Sequence, residues 1–175
     1  MKILALDPSG NFEEGKGTTG YCVGDEYGNI RTAGQITAKK YNTQIDYWNA
    51  VLKLIKKVNP SVIVCEDYRL YQTAAEAQIN SKMETVQLIG LIKWFVGGGV
   101  MNIPIAMQMA HEVKLRWPDK LLKEKGFFFN LHVSNHSKDA IRHYVHYITF
   151  KLKDKKQKAY KKATVTANYK TGEEE

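Results

Sequence analysis

Two apolar runs in this chain end in a carboxylate. Ile3-Leu4-Ala5-Leu6 runs into Asp7, and Val62-Ile63-Val64-Cys65 runs into Glu66. Each run reads as a short buried strand. If the two lie parallel and side by side, their acids meet at the carboxyl edge of a sheet, where open α/β folds build their sites. Either acid alone is commonly a turn residue after a strand. The matched pair means more, because two carboxylates held that close repel each other unless a proton or a cation bridges them. Mg²⁺ suits such a place: it takes hard oxygen ligands and keeps waters that substrate phosphates can replace. Asp67 follows Glu66 directly, and strand alternation lets only one of them face the ion. Glu66 is the choice, since it ends its run as Asp7 does.

A third acid comes from the sequence Asn135-His136-Ser137-Lys138-Asp139-Ala140. His136 and Asp139 are three apart, so on a helix they share a face near its start. Taken alone this pair says little, because Asp near a helix start is often a capping or dipole residue.

The elements that must position these groups follow from pattern. Residues 2–7 form a strand, 8–17 a Gly-rich polar loop, 18–23 and 30–37 two more strands joined by a turn at 25–29 with Gly28-Asn29 as hairpin signal. Residues 43–58 form a helix with Ile45, Trp48, Leu52 and Ile55 on one face, capped by Asn42 or Thr43 and stopped by Asn59-Pro60. A strand at 61–66 precedes a long helix at 74–96, striped by Ile79, Met83, Val86, Ile89 and Ile92 and ended by three glycines. A fifth strand at 103–109, a basic and partly helical stretch at 111–125 and a last helix at 135–150 complete the order. Hairpins followed by strand–helix alternation predict an α/β fold: a mixed five-stranded sheet with helices on both faces.

Asp7 on the first strand, Glu66 on the fourth and His136-x-x-Asp139-Ala140 on the last helix resemble the RuvC family of Holliday junction resolvases, especially its short phage-type members, within the ribonuclease-H-like superfamily. Ile103-Pro104-Ile105 through Ala110-x-x-Val113-Lys114 looks like that family's fifth strand and following basic stretch. The resemblance covers about residues 1–150; the loop at 8–17 is longer than the family's usual first hairpin, and the position of His136 is an acid in some members. It implies a homodimer acting on branched or four-way junction DNA, each subunit nicking one strand. It also implies two Mg²⁺ ions per site, replaceable by Mn²⁺: Asp7 would bridge both ions, Glu66 and Asp139 would bind one each, and His136 would be a ligand or orient the attacking water.

Around these groups lie candidates for DNA contact. Tyr68-Arg69-Leu70-Tyr71 follows Glu66, so Tyr68 or Tyr71 could stack on an unpaired base beside the Arg69 guanidinium; packing on a helix below is an equal alternative. Lys114, Arg116 and Lys120 could hold phosphates. Trp117 reads as a core or interface anchor. His132, His143 and His146 have no convincing partners, and the last two are expected on helix faces away from the metals. Leu91, Trp94 and Phe95 widen the apolar stripe of the long helix, which makes it the expected dimer interface.

Composition is compatible with all of this. The chain has 175 residues, suited to one domain, and a net charge of +8 that favours a polyanionic partner. Half of that charge lies in residues 151–175, which have no apolar periodicity and carry eight lysines. Residues 1–150 are therefore expected to be the nuclease domain and 151–175 a basic, disordered tail. No apolar run is long enough to span a membrane and the N-terminus has no secretory pattern. Cys22 and Cys65 lack metal-ligand spacing and fit reduced, buried, cytoplasmic thiols.

Three other readings compete. A ribonuclease-H-like nuclease for RNA–DNA hybrids or flapped DNA would carry the same acids. Gly17-Thr18-Thr19-Gly20 also occurs after an acid in actin-like and sugar-kinase ATPases, but those need two such domains and this chain is too short. A non-catalytic DNA-binding relative would have no reason to carry acids at all three positions.

Overall fold

In the computed structural model of the protein, residues 1–13, 15–68, 82–127 and 134–153 are described. Five strands form one sheet in the order β3-β2-β1-β4-β5, with β1 Lys2–Asp7, β2 Thr18–Asp25, β3 Ile30–Thr37, β4 Val62–Asp67 and β5 Ile105–Met109. β1 pairs antiparallel with β2 and parallel with β4; β2 pairs antiparallel with β3, and β4 parallel with β5. This is the expected mixed sheet.

Strand alternation sorts its side chains onto two faces. Leu4, Leu6, Ile63 and Cys65 pack under α1 (Gln44–Val58) and α2 (Glu84–Val96). Ile3, Ala5, Val62 and Val64 pack under α3 (Ala110–Arg116), α4 (Asp119–Glu124) and α5 (Asn135–His146). Each fully buried Leu or Ile contributes about 1.5–3 kcal/mol, so central strands that are apolar on both faces are what hold the layers together. Cys22 and Cys65 are free and buried, and burial pushes both thiols well above their ordinary pKa.

α1 begins at Thr43, whose side chain accepts from the Asp46 amide, and ends at Asn59 in the left-handed region. Its buried face is Tyr47, Trp48, Val51 and Ile55, while Ile45, expected in the stripe, is exposed.

The long helix expected at 74–96 is shorter at its start. Met83 has φ 51°, a left-handed conformation no helix can pass through, and α2 begins at Glu84. Ile79 and the rest of the expected first half lie outside the described residues. The apolar face of α2 is also committed inward: Ile89, Ile92 and Phe95 are buried in this chain's own core, leaving Val86 and Trp94 exposed. Pro104 stands just before β5 rather than inside it, and its carbonyl accepts from the Ile63 amide.

The basic stretch at 111–125 is two short helices split at Trp117-Pro118, with Trp117 buried in the core. α5 starts at Ser134, whose Oγ accepts from the Ser137 amide, and runs on into a π-helical turn at Tyr147–Lys151. Leu152 is buried in the same cluster as Ile141 and Tyr144. Packing thus continues past residue 150, to Leu152. Residues 154–175 lie outside the described residues. Among the described residues no helix is long and apolar enough to cross a membrane.

Candidate active site

Parallel pairing of β1 with β4 sets Leu6 opposite Cys65, which brings the next residues, Asp7 and Glu66, together at the carboxyl ends of the two strands. Alternation turns both acids to the α5 face, the side of Ile3, Ala5, Val62 and Val64. Asp67 takes the opposite side, with Ile63 and Cys65. Glu66 and Asp67 therefore take opposite faces, with Glu66 on the side of Asp7.

α5 lies across this edge and supplies three side chains at i, i+3 and i+7: His136, Asp139 and His143. Its start can come this close because β2 offers Gly20, the register partner of Asp7. A Cβ on Gly20 would stand 2.0 Å from the His136 carbonyl oxygen. The Gly-Thr-Thr-Gly sequence is thus a packing feature, with glycine demanded by close approach.

Each acid has its own partner. Asp7, almost fully buried, has Oδ2 3.0 Å from His136 Nδ1. Glu66 has Oε2 3.0 Å from His143 Nε2. Asp139 has Oδ2 3.1 Å from Lys114 Nζ and is also paired with Arg142. Arg142 in turn donates from Nε to the Trp117 carbonyl at 3.0 Å and pairs with Asp119, tying α5 to the start of α4.

The electrostatics match the geometry. Burial raises the Asp7 carboxyl above its ordinary pKa, and the charges of Glu66 and Asp139 raise it further, against the His136 hydrogen bond. Burial pushes Glu66 the same way, but the hydrogen bond and charge of His143, then Lys114, outweigh it and leave Glu66 below its ordinary value. The Asp7 hydrogen bond holds the His136 imidazole above its ordinary value, overcoming its partial burial. Lys114 loses some hydration by burial, yet the Asp139 charge and hydrogen bond raise it.

Asp7, destabilised as a carboxylate by the charges of Glu66 and Asp139, makes with them the kind of donor set a hard divalent cation fits, because Mg²⁺ and Mn²⁺ bind negatively charged oxygen ligands. Among the described residues no three His, Cys, Asp or Glu side chains form a ready-made metal cluster. Asp139 faces Lys114 and Arg142.

Of the other expected site residues, Lys114 stands at the site. Arg116 does not: its guanidinium lies over the Phe150 ring, 5.1 Å from the centroid. Lys120 is exposed on α4. Tyr68 is partly buried against the core under α1 and α2, the packing alternative. Arg69, Tyr71 and His132 lie outside the described residues. The expectation for His143 is overturned: it is 1% exposed and bonded to Glu66 within the site. Its i+7 spacing from His136 was the available signal. Gln108, buried on β5 beside His143, was also missed, and a polar residue in a buried strand was its signal. His146, by contrast, packs against Phe150.

No protein-family model matches the sequence, and no curated protein sequence matches it. Solved structures do match in fold. Thermus thermophilus RuvC superposes with a TM-score of 0.56 at 13% identity, covering 82% of this chain and 90% of that one. The T. thermophilus RuvC complex with Holliday junction substrate gives 0.54 at 13%, covering 82% and 89%. The fowlpox virus Holliday junction resolvase gives 0.53 at 13%, covering 85% and 98%. With its β3-β2-β1-β4-β5 sheet and helices on both faces, the chain has the ribonuclease-H-like fold and is similar in architecture to the RuvC and fowlpox Holliday junction resolvases.

Proposed function

We propose that this protein is a divalent-metal-dependent endonuclease that hydrolyses phosphodiesters in branched DNA, with four-way junctions as its substrate. The observation that carries the reading is the convergence of Asp7, Glu66 and Asp139 at one sheet edge on a resolvase-like fold. The charges of Glu66 and Asp139 both act on Asp7, and these three carboxylates would hold the divalent ions. Bound Mg²⁺ or Mn²⁺ would supply Lewis acidity and lower the pKa of the attacking water.

The chain's own residues do the rest. Asp7 holds the His136 ring through Nδ1, which leaves Nε2 as the nitrogen able to orient water or take its proton. Lys114, half-exposed beside Asp139, can meet a phosphate oxygen of the strand being cut. Symmetric cutting of a four-way junction is simplest with two copies of the chain related by a two-fold axis, and exposed Val86 and Trp94 on α2 are apolar groups a second copy could cover. Full activity from a strictly monomeric species would rule the pairing out.

The substrate test is a cleavage panel with Mg²⁺ or Mn²⁺. A four-way junction should be cut faster than linear duplex, flapped DNA and RNA–DNA hybrid. Preference for the hybrid would move the reading to a ribonuclease, and junction binding without cleavage to a non-catalytic binder.

A further inference from the structure

Gln108, His143 and Glu66 form one continuous hydrogen-bonded chain beneath the acids. His143 Nδ1 lies 3.0 Å from Gln108 Oε1, and Nε2 lies 3.0 Å from Glu66 Oε2. Gln108 and Glu66 are direct register partners on β5 and β4. His143 is 1% exposed and Gln108 5%. Polar groups buried at this depth are costly unless bonded, and here they lie beside Ile141, Tyr144 and Val145, where an apolar residue would pack without that cost.

Hydrogen accounting restricts what the chain can do. A carboxylate only accepts, so facing ionised Glu66 the Nε2 atom must carry the proton. The Gln108 amide can meet Nδ1 in either orientation, accepting through its oxygen or donating through its nitrogen. As placed, the amide nitrogen is buried with no partner among the described residues, and turning the amide would give it Nδ1 as acceptor. Both orientations leave the same bond at the other end: His143 Nε2–H donating to Glu66.

We infer that His143 is a positioning residue, which grips Oε2 of Glu66 through Nε2–H and so fixes the carboxylate that would hold a metal, with Gln108 holding the far side of the ring. The inference rests on the reading of Glu66 as a metal ligand. Partners that orient a ligating carboxylate are typically worth about 10–100-fold in metal affinity or activity.

The test uses the full chain and Mn²⁺ alone as probe. His143→Phe fills the space but cannot donate; it should bind Mn²⁺ and turn over junction DNA about 10–100-fold more weakly, with junction affinity in EDTA unchanged. His143→Gln places an amide N–H near the Nε2 position and should recover most of both losses. Long-range ¹H–¹⁵N spectra of the wild-type chain in EDTA should show His143 protonated at Nε2, with the signal displaced in Glu66→Gln. Wild-type Mn²⁺ affinity in His143→Phe, or a Gln variant as weak as the Phe variant, would overturn the inference, as would a bare Nε2. If the wild-type chain neither binds Mn²⁺ nor cuts DNA, the nuclease reading fails, and the spectra still decide the hydrogen bond.

Discussion

The carbonyl oxygen of His136 packs against Gly20 with no room for a side chain: a Cβ there would stand 2.0 Å from it. Because Gly20 is also the register partner of Asp7, one missing side chain sets the distance between the first acid and the helix that brings His136 and Asp139. Gly20→Ala should push α5 off the sheet edge. Overpacking of this kind costs about 1–3 kcal/mol, and misplacing catalytic groups by about 1 Å costs on the order of 10²-fold in rate. Thermal melts and cleavage rates should therefore show a folded protein whose activity falls far more than its stability. Wild-type activity would mean that α5 does not set the site.

Register separates Glu66 from Asp67. Glu66→Gln should cut cleavage by orders of magnitude and leave junction binding in place, since phosphate contacts carry most of the affinity. Asp67→Asn, on the opposite face, should change the rate little. The reverse ranking would show that β4 presents its other face to the site.

His136 can be tested through pH. Its pKa is raised by Asp7, so the bond between them stabilises the fold fully below about pH 6.5 and loses that contribution as pH rises through the folded-state value. In EDTA, His136→Ala should lose more stability at pH 6 than at pH 9. Catalysis needs the neutral ring, so wild-type activity should fall as pH drops through the histidine range. His136→Asp should move that acidic limb to lower pH and keep substantial Mg²⁺ activity, while His136→Ala should be much weaker. One shared pH–rate profile for all three proteins would remove the histidine from the mechanism.

His146 shifts the other way. Burial lowers its pKa, helped by Lys151 and Arg116, and its buried Nδ1 has no partner among the described residues. A histidine with a depressed folded-state pKa binds its proton more readily unfolded, so stability falls as pH drops below about 6.5. His146→Leu should match or exceed wild type by up to about 1–3 kcal/mol at neutral pH, the usual penalty of an unpaired buried polar atom, and its advantage should grow toward pH 5. Denaturant melts at the two pH values give both numbers; a constant difference would show that His146 does not titrate in the fold.

What was legible in the sequence was what depends on local pattern. Asp7 and Glu66 stand out because each ends a continuous apolar run, and their meeting follows from parallel pairing of two such runs. Thr43 and Asn59 announce the ends of α1 by their own chemistry. The features that escaped depend on tertiary placement. A histidine on an amphipathic helix looks solvent-facing until Gln108 and Glu66 are brought beneath it by strand register. Met83 in a left-handed conformation has no local signal, since methionine does not favour it, so α2 was read through residue 83 from its apolar spacing. Ile45 fits a helical stripe as well as Val51 does, and only packing under the sheet chooses between them. The packed turn at Tyr147–Lys151 lacks Gly or Pro, and the Lys-rich run after it hid the buried Leu152.

Metal-dependent cutting by the three acids is tested most directly by Mg²⁺-dependent nicking of a synthetic four-way junction by the wild-type chain, Asp7→Asn and Asp139→Asn. The wild-type protein should make paired, symmetric nicks near the branch point and none without a divalent cation, and both variants should lose cleavage while retaining junction binding. Cleavage that survives in Asp7→Asn and Asp139→Asn, or that proceeds at full rate in EDTA, would show that these acids do not hold a catalytic metal.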